Sequence, residues 1–174
     1  ENGFASSGID QILKKVGVPK GSFYHYFSSK EDFGQAVIDH YASYFANKLT
    51  TYLLDKSCGP LIRISNFVED AKAGMSRHQF KRGCLVGNLG QEVDVLPESY
   101  RQQLIDILLS WQKILAGCLK EAQAQGEISA TANCDLLAEY FWIGWEGAVS
   151  RAKLVQSIHP LESYLNYFIM GLPK

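Results

Sequence analysis

Helical periodicity runs through almost the whole chain, and this restricts the fold more than any other property. From Ser7 onward, Ile9, Ile12, Leu13 and Val16 repeat at i, i+3, i+4 and i+7, the spacing of one helical face. Leu104, Leu108, Trp111, Leu115, Cys118 and Ala122 form the seam of a long helix opened by Pro97 and ended at Gly126. Leu161, Tyr164, Leu165, Phe168, Ile169 and Leu172 make a stripe on a last helix that begins at Pro160. Nowhere do apolar and polar residues alternate convincingly, and no Asn-Gly or Asp-Gly pair joins two strand-like runs. The expected fold class is all-α.

Breakers divide the remainder. Gly17 stops the first helix, for which Ser6 or Ser7 is the expected N-cap, and a short second helix runs from about Pro19 to Phe27. Ser28 or Ser29 caps a third, with Glu31 and Asp32 in its first turn. Its apolar positions Phe33, Val37, Tyr41, Tyr44, Phe45, Leu49 and Leu53 carry it to about Cys58, where Cys58-Gly59-Pro60 breaks the chain. A helix over 61–75, a basic stretch over 77–82 and a short helix within 83–96 follow. The penultimate helix, about Thr131 to Gln156, carries Leu136, Leu137, Tyr140, Phe141, Trp142, Ile143, Trp145, Ala148 and Val149. Being apolar on more than one face, it is predicted to be buried on two sides, the second against a partner subunit. Gly144, Gly147 and Ala148 would allow close helix approach in a homodimer built from the last two helices.

The two short helices and the Gly-containing turn between them match a helix-turn-helix. A recognition helix needs apolar groups inward and short or planar polar groups outward. Phe23 and Phe27 are predicted to point inward, leaving Lys20, Gly21, Ser22, Tyr24, His25 and Tyr26 for base edges and phosphates. Lys30 and Ser7 are placed for the phosphate backbone. Composition gives this reading no help. The net charge is −1, and Lys14, Lys15, Lys20 and Lys30 are balanced by Glu1, Asp10, Glu31 and Asp32, so there is no basic face of the usual kind.

The segment Gly8-Ile9-Asp10-Gln11-Ile12, followed by Val16 to Glu31 with its Pro19-Lys20-Gly21-Ser22-Phe23-Tyr24-His25-Tyr26-Phe27 run, resembles the DNA-binding signature of the TetR family of transcriptional repressors. Gly3-Phe4 resembles the end of that family's first helix, and the chain starts at Glu1 without an initiator Met, so an N-terminal stretch is expected to precede it. The resemblance implies a helix-turn-helix domain over 1–40 and a helical sensor and dimerisation domain over 41–174. It also implies double-stranded operator DNA and a small-molecule or electrophile inducer as partners.

Arg82-Gly83-Cys84-Leu85-Val86-Gly87-Asn88-Leu89 with Glu92-Val93 is similar to the branch of the family that responds to N-ethylmaleimide, other reactive electrophiles and acrylate. Cys84 is therefore the candidate sensor thiol. Lys81, Arg82 or a helix start near Leu85 would lower its pKa, with Lys153 as a further candidate partner. The competing sensor is an apolar pocket lined by Phe67, Trp111, Tyr140, Phe141, Trp142 and Trp145, although the same aromatics could equally be core. Cys58, Cys118 and Cys134 are read as structural.

Other classes find less support. No Cys or His spacing suggests a metal, no cofactor motif is present, and no nucleophile elbow or phosphate loop suggests an enzyme. No apolar run approaches the roughly 20 residues of a membrane span, and the expected location is cytoplasmic. A helical carrier without DNA activity would explain the aromatics but not the helix-turn-helix.

Overall fold

A computed structural model describes residue 4 and residues 6–174. The elements are α1 (Ile9–Val16), α2 (Lys20–Tyr26), α3 (Lys30–Leu53), α4 (Pro60–Arg77), α5 (Leu85–Gln91), a 3-10 turn (Val93–Val95), α6 (Glu98–Ala124), α7 (Cys134–Val155) and α8 (His159–Met170). Among the described residues there is no strand, and no helix is long and apolar enough to cross a membrane. The expected end of a preceding helix at Gly3 lies outside the described residues, which include only Phe4 of that pair.

The breakers act as their chemistry requires. Gly17 takes φ +70° and its N–H returns to the Leu13 carbonyl, a left-handed cap that most side chains would strain. Ser29 caps α3 by accepting the Asp32 N–H at 3.0 Å, while the Asp32 carboxylate accepts the Ser28 N–H at 2.9 Å. The exchange satisfies two amides at the junction between α2 and α3. The first helix is capped by Gly8 rather than by Ser6 or Ser7, and no side chain completes that cap.

α3 ends at Leu53 rather than near Cys58, and a buried arginine accounts for the turn that follows. Arg63, 2% exposed, donates to the carbonyls of Leu53 at 3.4 Å and Cys58 at 2.9 Å, and to the Glu121 carboxylate at 2.8 Å. One guanidinium thus ties the end of α3, the start of α4 and the end of α6 together. Lys56 also reaches Glu121, and these two cations hold that carboxyl below the usual range.

α6 is the hub, packing on α7, α3 and α4, while α8 closes the far side against α7 and α4. Its predicted seam is buried at Leu104, Trp111, Leu115, Cys118 and Ala122. Cys118 donates to the Pro60 carbonyl at 3.3 Å, and burial pushes its thiol up to about 11. α8 approaches α7 at Gly144, where an added Cβ would stand 2.3 Å from the Tyr164 ring. The Tyr164 hydroxyl donates to the Phe141 carbonyl at 2.6 Å. Gly144 therefore serves packing within the chain, a correction to its expected use between subunits.

Two buried-face expectations also change. Val16 is 61% exposed, leaving Leu13 as the buried residue of α1. On α3, Val37 and Tyr44 are exposed and Ile38 is buried in their place. α3 meets the head near its start and the bundle further along, so its buried face shifts and a single stripe does not describe it.

Candidate DNA-reading head and sensor cavity

The head is built around Phe23. Its ring lies 5.4 Å from Phe27 and 5.4 Å edge-on from Phe33, which joins α2 to the start of α3. With that side anchored, Lys20, Gly21, Ser22, Tyr24, His25 and Tyr26 are all exposed. Lys20 sits 3.0 Å from Asp10. Both groups are well solvated, so the pair is weak and the ammonium can exchange its carboxylate for another anion.

Lys30 and Ser7 are placed differently from this set. The Lys30 ammonium donates to the Phe4 carbonyl at 2.8 Å and lies 4.4 Å over the Phe4 ring. The Ser7 N–H donates to the same carbonyl at 3.2 Å. Both residues line a cleft of about 840 Å³ between head and bundle, together with Lys15, Lys81, Arg82 and Lys153. The expected phosphate role of Lys30 thus competes with a fold-holding contact.

Beside that cleft, the start of α6 grips the start of α3. The Tyr100 hydroxyl donates to the Glu31 carbonyl at 2.9 Å, and the Ser99 hydroxyl to the Glu31 carboxylate at 2.5 Å. One turn on, Gln103 donates to the Gln35 carbonyl at 3.1 Å and to Asp39 at 2.7 Å. Burial, with the Glu31 charge beside it, pushes the Tyr100 phenol up to about 12. Gly34 makes the approach possible, because a Cβ there would lie 1.9 Å from the Tyr100 oxygen. The sequence signal for this contact was a glycine inside a strong helical pattern, which the periodicity argument passed over.

A second cavity, of about 290 Å³, lies inside the bundle between α3, α4 and α7, at the start of α5. Its apolar wall includes Phe45, Phe67, Met75, Trp145 and Val149, and its polar rim includes Lys48, Asp70, Arg77, His78 and Arg82. Lys48 and Asp70 pair with each other. Cys84 opens onto the same space as the N-cap of α5, its sulfur accepting the Gly87 N–H at 3.4 Å.

Burial raises the Cys84 thiol above its ordinary pKa. The amides of Gly87 and Val86 and the Tyr41 hydroxyl offset this in part, and Glu146 adds to the rise. Glu146 is half-buried and its own carboxyl is pushed up by burial. This reverses the expected direction for Cys84. The helix start does act as anticipated, but desolvation is larger. Lys81 and Lys153 line the junction cleft and are not among the groups that shift the sulfur, whereas Arg82 stands at both cavities.

The six aromatics expected around a pocket fall into three places. Phe67 and Trp145 line the cavity. Trp111, Phe141 and Trp142 are buried core behind it. Tyr140 is 61% exposed on the outer face of α7 and is no part of the cavity. Sequence reasoning missed Tyr41, Tyr44 and Phe45, which it read as a packing stripe, and Met75 and His78 at the end of α4. The near-helical spacing of 67, 71, 74, 75 and 78 is the signal that could have found the α4 wall.

A short exposed helix on a small head, gripped by an all-helical bundle with a cavity, is the architecture of a DNA-binding regulator. The comparisons with known proteins make the assignment specific. Residues 1–37 match the family model described as bacterial regulatory proteins, tetR family, and residues 60–168 match the tetracyclin repressor-like C-terminal domain. The transcriptional regulator AcuR of Cereibacter sphaeroides is 54% identical over 168 residues, covering 97% of this chain and 77% of that protein. The repressor NemR of Escherichia coli is 32% identical over 166 residues, covering 95% of this chain and 83% of its own length. A crystal structure of the regulatory protein TetR from Rhodobacter sphaeroides superposes with a TM-score of 0.96 at 52% identity, covering 99% of this chain and 91% of that one. This chain belongs to the TetR family of DNA-binding transcriptional repressors.

Proposed function

We propose that this chain is a homodimeric repressor that holds a palindromic operator through α2 and releases it when the cavity at Cys84 is filled or the thiol is modified. The observation that carries this reading is Cys84 itself, a cysteine on the wall of a cavity with an apolar floor and a polar rim, in a bundle hydrogen-bonded to the head.

Lys20, Gly21, Ser22, Tyr24, His25 and Tyr26 form the surface offered to DNA. Tyr hydroxyls and the N-terminal turn of α2 meet phosphates, and the planar side chains meet base edges. Lys30 would meet the backbone with the ammonium hydrogens left over from the Phe4 carbonyl, and Ser7 with its hydroxyl.

An activated alkene such as N-ethylmaleimide fits the cavity's chemistry. The Cys84 thiol loses its proton and the thiolate forms a carbon–sulfur bond to one alkene carbon. The π pair then moves to the other carbon, which takes a proton from solvent, leaving a thioether and no by-product. Because the free thiol is held mostly protonated, modification is slow unless the electrophile is first concentrated in the cavity. Added bulk there presses on α3 through Tyr41, Tyr44 and Phe45 and is felt at the Glu31 and Gln35 contacts.

The second subunit has a surface to meet. Leu136, Tyr140, Ile143 and Leu154 on α7 and Tyr167 and Met170 on α8 are exposed large apolar side chains. The α7 residues are spaced along one face, which matches the apolar core of a subunit interface.

Operator binding is measured with the full-length protein on its own upstream DNA, with and without N-ethylmaleimide, beside Cys84→Ser. The expected result is release in the wild type and retention in the variant. Release that ignores the substitution would move the inducer to the cavity without the thiol. Absence of specific binding would sink the reading.

A further inference from the structure

Two buried donors lie one ring behind the cavity. Trp111 is 1% exposed and Trp142 3% exposed, and neither indole N–H has an acceptor among the described residues. Buried N–H groups are nearly always paired, because leaving one without a partner forfeits its hydration for nothing in return. Two such groups on adjoining side chains, with ring centroids 5.4 Å apart, form a local arrangement with a common requirement.

Phe45 separates the pair from the open space. Its ring lines the cavity, stands 4.4 Å from Trp111 and 6.1 Å from Trp142, and lies 5.9 Å from Tyr41, also on the cavity wall. Phe67, the other shared wall, is 6.2 Å from Trp142. Phe45 is only partly buried and sits on α3, the helix that enters the head. A turn of its ring is the movement that would join the cavity to the indoles.

We infer that Trp111 and Trp142 are the acceptor-recognising end of the sensor site, and that it takes a small apolar molecule carrying a carbonyl-type oxygen. The apolar body rests on Phe67, Met75, Trp145 and Val149, the oxygen accepts the indole N–H groups, and Phe45 is displaced to admit it. An imide or amide satisfies both demands; a hydrocarbon of equal size leaves the donors unpaired and gains only dispersion. This rests on the proposed use of the cavity and deepens it. It also gives that site a non-covalent selection step that precedes any reaction at Cys84.

N-ethylsuccinimide, which has the carbonyls of N-ethylmaleimide but no alkene to react, is the probe, with ethylcyclopentane as the matched molecule lacking an acceptor. With the full-length protein, nitrogen-resolved NMR of the indole N–H groups should show two of the three tryptophan signals moving downfield with the imide and staying put with the hydrocarbon. Trp142→Phe and Trp111→Phe should each weaken imide binding about five- to tenfold, the worth of one hydrogen bond. Neither should change ethylcyclopentane binding. Should either variant fail to fold, the wild-type NMR comparison decides alone. Imide binding with unmoved indole signals, or equal affinity for the hydrocarbon, overturns the inference and leaves the cavity reading standing. Binding of neither molecule overturns both.

Discussion

The head and the bundle solve opposite problems with the same material. The head buries little beyond Leu13 and Phe23 and spends its tyrosines, histidine and lysine on solvent. The bundle buries most of its aromatics around Phe67, Trp111 and Trp142 and exposes a row of apolar residues along α7 and α8. Fully burying one large apolar side chain stabilises by about 1.5–3 kcal/mol, so the bundle draws far more on apolar burial than the head, which leans on α3 and on the Tyr100 grip. A reader of DNA needs free polar surface; a sensor needs a dry interior. A true division would let each be altered without destroying the other.

Several substitutions put that division at risk. Glu121→Gln should cost the bundle about 3 kcal/mol, since it strips the charge partner from buried Arg63 and leaves that cation with neutral acceptors alone, its two carbonyls and the new amide oxygen. Thermal melting checks this, and an equal loss at the head surface would show that the two regions are not separable. Gly34→Ala should cost about 2 kcal/mol by forcing Tyr100 away from Glu31. Its expected signature is weakened operator binding with the cavity intact, read by gel shift beside ligand titration.

The remaining two sharpen the contrast by chemistry. Alkylation of Cys84 should accelerate with pH about tenfold per unit and keep rising past roughly 8.5, where an ordinary thiol levels off, because its folded pKa is raised. By the same linkage, the protonated thiol favours the folded state below the unfolded pKa, and that contribution fades as pH climbs through the raised value. A plateau near 8.5 in a stopped-flow profile would show a solvated thiol. Lys20→Ala should leave melting unchanged and lower the slope of log affinity against log salt by about 1, the mark of one lost phosphate contact.

Much of this was legible beforehand. The all-helical fold, the long seam of α6 and the stripe of α8 follow from spacing alone, because those helices each bury one continuous face. The exposed side of α2 was legible because Phe23 and Phe27 fix which side is inward. Contacts between distant segments left no periodic trace. The Tyr100–Glu31 grip, the Arg63 knot and the Phe45 wall depend on which helices meet, which spacing within one helix does not encode. Cys84 was singled out by resemblance, yet the direction of its pKa turned on burial, a property of its neighbours in space.

The continuity of α3 has a geometric consequence. It is one unbroken helix of 24 residues from Lys30 to Leu53, and Phe45 stands 15 positions along it from Lys30, about 22 Å at 1.5 Å per residue. A rod that long turns each degree of tilt at the cavity into roughly 0.4 Å of travel at its head end. In the proposed homodimer, two such heads on one operator would have to keep their spacing close to one DNA turn, about 34 Å. Five degrees of tilt in each arm would misplace the pair by several ångströms, more than hydrogen bonds tolerate. On the proposed function the protein would work as a caliper, with DNA as the gauge block and a ligand of modest size as the turn of the screw.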